Sequence, residues 1–263
     1  MIRIFKSEWR KLRRPTLFLG TMAAVIGLTG LISSLLFLLL DSERGNGREG
    51  MMITRETLAL PNGLYVGFAN SAGLLGVIAL CVFAAQTAIE YTNGTLRNLL
   101  VREPRRLLLL AGKYLAMVSF ALVTVCFSAV VSISISASLA NFKGVSTEQW
   151  YTSAALSLFG STFGNVFLSV ISYGTVGMTL GLLLRSPISS ISIALAWILV
   201  IENILSATVN GISKWMPGQL MGAIPVQFGV DFSYSWALAG TAIYLVIFSI
   251  TAATLFKRRD VVN

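Results

Sequence analysis

The chain has 263 residues, of which 55% are hydrophobic and only 12% charged, and its mean hydropathy is +0.78. Soluble globular domains carry about a quarter charged residues, so a soluble core is excluded and an integral membrane protein is expected. The formal charge of +9 does not point to nucleic acid, because the basic residues sit at the ends of apolar runs rather than along one face. Histidine is absent and the only cysteines are Cys81 and Cys126, both inside charge-free runs. No metal or haem ligand set and no disulfide framework can be assembled from that inventory. The two cysteines read as small buried hydrophobes.

Residues 1–14 place Ile2, Phe5, Trp9 and Leu12 at helical spacing among six basic residues, which predicts an amphipathic helix lying in the membrane interface. A secretory signal peptide does not fit, since the apolar run that follows is too long and no small-residue cleavage site is evident. Pro15 opens a first span of about residues 17–40, where Gly20, Ala23, Ala24 and Gly27 form small-residue pairs that let helices approach closely. Residues 41–62, with mixed charges and several glycines, read as an external loop with little structure. A second span of about 64–89 follows.

The segment 90–113 organises the rest. It is a charged island between two charge-free runs, 62–89 and 114–142, each long enough to cross a bilayer. Arg97, Arg102, Arg105, Arg106 and Lys113 stand there against Glu90 and Glu103, a bias that keeps a loop in the cytoplasm. Gly94 breaks the incoming helix and Thr95 is a potential cap for a new one. Leu96, Leu99 and Leu100 form a short apolar stripe, and Pro104 stops the helix near Glu103. A short capped amphipathic helix beside the membrane is a docking surface for a cytosolic partner; a solvated basic turn that only fixes topology is the alternative.

The run Glu90, Gly94-Thr95-Leu96-Arg97, Pro104, Arg106 and Lys113 resembles the segment between the second and third spans of the ABC type-2 permeases, the membrane subunits of ATP-driven exporters. The length and layout of the chain are similar to that family, and in particular to the small permeases of bacitracin-type and lantibiotic-type peptide resistance. The resemblance implies that residues 1–14 are an elbow helix, with Glu8 and Lys11 at matching positions. It further implies that the island, through Glu90, Gly94, Thr95, Arg97, Leu99, Leu100, Arg102, Pro104, Arg106 and Lys113, couples the spans to an ATPase. Glu90 either is placed to hold Arg97 or Lys113, and so to fix the angle of the coupling helix, or is a plain interfacial carboxylate.

A third span is expected over about 115–140, with Ser132, Ser134, Ser136 and Ser138 alternating with apolar residues. An unpaired strand is not viable in lipid, so the segment reads as helix. Its serines either bond to carbonyls and neighbouring helices or line a substrate route. Residues 149–184 carry no charge and predict an interfacial piece followed by a fourth span of about 159–184, in which Gly160, Gly164, Gly177 and Gly181 are spaced for tight helix packing. A fifth span of about 188–209 contains Glu202. Residues 210–235, interrupted by Pro217 and Pro225, suit short helices dipping into the outer leaflet, the re-entrant segment that the resemblance also implies. A sixth span of about 236–256 ends in Lys257-Arg258-Arg259.

With six spans, 15 basic residues fall on the side of the termini and five on the other, which puts both termini in the cytoplasm. The expected fold is an all-α integral membrane protein of six spans in one domain, residues 15–263, preceded by the interfacial helix. No phosphate-binding Gly-rich loop followed by Lys-Ser/Thr is present, and no catalytic pair or metal centre is legible. The resemblance therefore implies that ATP and Mg bind to two separate cytosolic ABC ATPase subunits. It also implies that a second permease chain, identical or related, completes the pathway in a bacterial cell membrane. The expected cargo is an amphipathic peptide, drug or lipid. A non-transporting anchor or sensor, or a secondary transporter or channel, is the competing reading. Glu202, roughly 26 Å up the fifth helix from Arg185 at 1.5 Å per residue, either reaches the outer surface or bonds Asn203, Asn210 or a serine, or stands at an outer gate between two permease chains.

Overall fold

A computed structural model describes residues 2–40, 54–102, 105–226 and 232–258. Among these residues there is no strand, and six helices are long and apolar enough to cross a membrane. The external loop expected over 41–62 falls outside the described residues up to residue 53; its last part is ordered. The Thr54 hydroxyl accepts from the Thr57 amide, and the Thr57 hydroxyl accepts in turn from the Thr54 amide. This reciprocal cap starts a short helix at Arg55–Ala59.

The spans are α2 (Pro15–Leu38), α4 (Val66–Thr92), α6 (Arg106–Lys143), α7 (Ser153–Leu184), a composite fifth span and α11 (Tyr234–Arg258). Ahead of them lies α1 (Ile2–Leu12); α3 is the capped helix at Arg55–Ala59, and α5 (Thr95–Arg102) follows the second span. The fifth span is α8 (Pro187–Leu195), a π-helical stretch over Ala196–Ile201 and α9 (Glu202–Thr208). A short helix α10 (Pro217–Ala223) fills the expected re-entrant region. The main departure in length is α6, which starts nine residues before the expected 115: Arg106 to Lys113 continue the third span as helix, because Lys113 is neutralised inside the protein and need not end at water.

The bundle centres on α4 against α7. In α7, 72% of the most apolar stretch is buried, against 11% in α11, so α7 is the axis and α11 a flank. Small residues set the α4–α7 distance: a Cβ on Gly177 would meet the Leu80 carbonyl oxygen at 2.2 Å, and one on Gly76 would meet the Tyr173 ring at 2.3 Å. Gly181 meets Ala84 in the same way. Gly160 and Gly164, by contrast, have nothing within 4 Å of an added Cβ, and neither do Gly20 and Gly27. Among the described residues, these four glycines line no close helix contact.

The alternating serines of the third span divide by helical face. Ser132 and Ser136, four apart, are buried, and Ser132 accepts from Ser33 of α2 at 3.0 Å. One turn earlier Ser128 pairs with Thr29 at 2.9 Å. Ser134 and Ser138, on the opposite face, bond back to carbonyls of their own helix. Ser128 and Ser132 are thus helix-to-helix ties, each contributing about 0.6 kcal/mol in a membrane setting, Ser134 and Ser138 make local bonds, and the buried Ser136 hydroxyl has no partner among the described residues. Both cysteines are free; Cys126 lies on the outer surface of the bundle, not in the core.

Candidate functional site

The site begins with a helix that docks closely. On α1 the buried face is Ile4, Glu8 and Leu12, spaced four apart. This face is rotated from the expected Ile2, Phe5, Trp9 and Leu12 stripe: Leu12 is buried and Phe5 and Trp9 are half-buried beside it, whereas Ile2 is 71% exposed. Ile4 is admitted by Gly112 of α6, where an added Cβ would meet its Cγ2 at 2.6 Å. Trp9 packs edge-on to Phe120 of the same helix at 6.3 Å between centroids.

That docking carries a charged side chain, Glu8, into the protein at the helix-spaced position between two apolar ones. There it meets Lys113, seven residues into α6, and Glu90, near the end of α4. Lys113 Nζ donates to Glu8 Oε2 at 2.7 Å, to Glu90 Oε1 at 2.7 Å and to the Gln86 carbonyl at 3.4 Å. All three ammonium donors are therefore used. Lys11 Nζ, one turn beyond Glu8, donates to Glu8 Oε1 at 2.5 Å and to Glu90 Oε1 at 2.6 Å. Two acids and two lysines thus form a neutral quartet that ties α1, α4 and α6 at one end of the bundle. Lys113 is only 3% exposed, and the two glutamates are also buried. Burial alone pushes the Glu8 carboxyl up, but Lys113 and Lys11 outweigh it and hold Glu8 below the ordinary carboxylate range. Burial likewise pulls the Lys11 ammonium down, and the two glutamates outweigh it and raise Lys11 above the ordinary lysine range. Of the partners expected at Glu90, Lys113 is found there, with Lys11 as a further one, while the side chain of Arg97 lies outside the described residues.

The island joins the quartet directly. The second span ends at Asn93, and Gly94 turns the chain with φ +66°, a left-handed conformation that suits glycine. The Thr95 hydroxyl donates to the Glu90 carbonyl at 3.5 Å. Helix α5 then runs through Arg102 as expected, and its Leu96 is buried while Leu99 is half-buried against the protein's own core. This part of the apolar stripe therefore faces inward, because the loop lies down on the bundle; Val101, on the outer side, is 80% exposed. The side chains of Arg97, Leu100 and Arg102, and all of Glu103 and Pro104, lie outside the described residues. Arg106 donates to the Lys257 carbonyl at 3.4 Å, tying the start of α6 to the end of α11. Arg185, at the turn after α7, sits over the Tyr91 ring.

At the other end, Glu202 has no exposure at all. Its partners are none of Asn203, Asn210 or a serine. The Trp197 indole N–H donates to its Oε1 at 2.8 Å, the Gly218 amide to Oε1 at 3.2 Å and the Gln219 amide to Oε2 at 3.1 Å. Trp197 lies five residues earlier, and the intervening π-helical turn, with its i to i+5 spacing, stacks the two. Gly218 and Gln219 are the first amides of α10 after Pro217, groups that have no partner inside a helix. A Cβ at Gly218 would meet Glu202 Oε2 at 2.6 Å, so the carboxylate reaches these amides only because residue 218 is glycine. The Tyr173 hydroxyl donates to the Gly218 carbonyl and the Ser169 hydroxyl to the Met221 carbonyl, both at 2.7 Å. Within this chain, Glu202 therefore holds α10 in place. The sequence signal for it was Pro217-Gly218, a helix start with an open approach to its amides.

One family profile, described as a protein of unknown function (DUF2705), matches residues 62–262. The match includes Glu90, Lys113 and Glu202 and begins after α1 and α2, so Glu8 and Lys11 lie outside it. No curated protein matches the chain. With more than half of its length covered by that profile, the chain belongs to the DUF2705 family.

Proposed function

We propose that this chain is the membrane-spanning permease subunit of an ATP-driven ABC exporter in a bacterial cell membrane. Two permease chains, identical or related, form the pathway with their termini in the cytoplasm, and two separate ATPase subunits bind and hydrolyse ATP with Mg. The cargo class is an amphipathic peptide, drug or lipid. The observation that carries the reading is the mounting of α5. A coupling helix must pass a push from a soluble partner to the spans, so it needs a rigid root and an outward face. The root is the Glu8–Lys11–Glu90–Lys113 quartet, which the Thr95 hydroxyl meets through the Glu90 carbonyl. Leu96 and Leu99 bed the helix on the bundle, and Val101 marks its free side.

The test is reconstitution with a candidate ABC ATPase from the same genome. The wild-type pair should form a complex in proteoliposomes whose ATP hydrolysis depends on the permease. Gly94→Val with Arg97→Glu should leave the permease inserted and abolish that dependence. A chain that neither binds such an ATPase nor alters its turnover, or a double variant that couples normally, would refute the proposal.

A further inference from the structure

Beside the quartet, between α1, α2, α4 and α5, lies an open cavity of about 450 Å³, within the roughly 300–1,000 Å³ range of small-molecule sites. Its walls differ in character along the helix axis. Arg14, Thr16, Asn93 and Thr95 form the outer part, all exposed. Leu17, Ile89 and Leu99 form the apolar part, and Ile89 lies one turn, about 6 Å, below Asn93 along α4. Such a division fits an amphiphile whose head sits at the helix ends and whose body runs down beside the spans.

The charge on the walls selects the head. Lys11 spends two of its three donors on Glu8 and Glu90 and lines the cavity with the rest. The quartet is neutral, so Arg14 is the surplus. Its guanidinium has no hydrogen-bond or ion-pair partner among the described residues, and it carries five donors in a fork that matches a phosphate. Among the described lining residues, Lys11 and Arg14 against Glu90 sum to +1, which equals in magnitude the single negative charge of a phosphodiester.

We propose that this cavity binds the phosphodiester of an anionic membrane phospholipid, with phosphatidylglycerol as the preferred species. Its phosphate pairs with Arg14 and Lys11, its hydroxylated head meets Asn93 and Thr95, and its acyl chains lie along Leu17 and Ile89. Phosphatidylethanolamine is disfavoured because its ammonium would enter beside Arg14 and Lys11. Because the occupant touches α1, α2, α4 and α5 at once, it stiffens the mount of α5. The proposal stands whether or not the chain is an exporter subunit.

Native mass spectrometry of the full chain in mild detergent, titrated with each lipid, tests it. The wild type should retain phosphatidylglycerol over phosphatidylethanolamine by about tenfold. Arg14→Gln should remove that preference. Arg13→Gln, which takes the same charge from an exposed neighbour that does not line the cavity, should keep it. Equal losses in the two variants would mean diffuse attraction to a basic surface and overturn the built site, as would equal retention of both lipids by the wild type. Inorganic phosphate and glycerol phosphate form the last arm: neither should displace the lipid at millimolar concentration, and displacement by either would overturn the assignment to lipid.

Discussion

Removing one member of the quartet should cost far more than the quartet contributes. At 2.7 Å and an effective dielectric of about 20, one lysine–carboxylate contact is worth about 6 kcal/mol. Against it stands a desolvation penalty of several kcal/mol for each buried ion. The complete, neutral group therefore lies near break-even. Lys113→Gln leaves Glu8 and Glu90 sharing Lys11 alone, an uncompensated charge in a buried place, which costs about 3–5 kcal/mol. Lys11 is 30% exposed at its side chain, so water reaches that edge and about 3 kcal/mol is expected. For a chain of this size that lowers the thermal midpoint by roughly 6–12 °C. Glu8→Gln creates the opposite imbalance. The double variant is neutral again, with Lys11 and Glu90 left as a pair, and should cost at least about 2 kcal/mol less than the sum of the single changes. The assay is thermal unfolding in detergent of the wild type and the three variants, alongside trypsin cleavage after Lys11, which should accelerate in the single variants as α1 lifts from α6. Additive losses with unchanged cleavage would show that the four charges do not act as a unit. The pH dependence follows from the same group. Glu8, held below its ordinary value of 4.5, contributes stability that is present above that pH and lost as pH falls through its lowered value. Lys11, held above 10.5, contributes stability that is present below that pH and lost as pH rises through its raised value. Cleavage after Lys11, corrected for the protease's own profile, should therefore stay flat between about pH 5 and 10.

Two further outcomes are expected. Glu202→Gln removes one of the acceptor oxygens facing Trp197, Gly218 and Gln219 and should cost about 1–3 kcal/mol in thermal unfolding; unchanged stability would free Glu202 from its role in holding α10. Gly177→Val should prevent accumulation of folded protein, because its side chain would collide with the Leu80 backbone, whereas Gly160→Val should be tolerated in the isolated chain; equal yields of monodisperse protein from the two would contradict the α4–α7 packing.

The spans were legible because a bilayer imposes a length and a polarity that any sequence must meet, and five of the six expected spans begin and end within about six residues of their helices. The sequence pattern places the start of the third span too late because a charge at Lys113 looks like an exit from the membrane; only tertiary pairing with Glu8 and Glu90 makes it interior. The same blindness applies to α1. Its periodicity gave the helix, but not the rotation that buries Ile4 and Glu8, which is set by the gap at Gly112 more than a hundred residues away. Gly177 and Gly160 sit in equivalent small-residue pairs, and only the neighbouring helix distinguishes a contact from a bare surface. Glu202 was legible as unusual and not in its partners, since those are backbone amides that a sequence does not display.

The quartet has a consequence for the order in which this protein is made. Its four charges are contributed by residues 8, 11, 90 and 113, so α1 waits for the third span before its buried acid has a full set of partners. Until Lys113 emerges, Glu8 and Glu90 have one lysine between them, and α1 gains little by leaving the surface for the bundle. The closing of α1 onto α6 is thus a late event in biogenesis, and a chain truncated before residue 113 should display an N-terminal segment open to proteases at every stage.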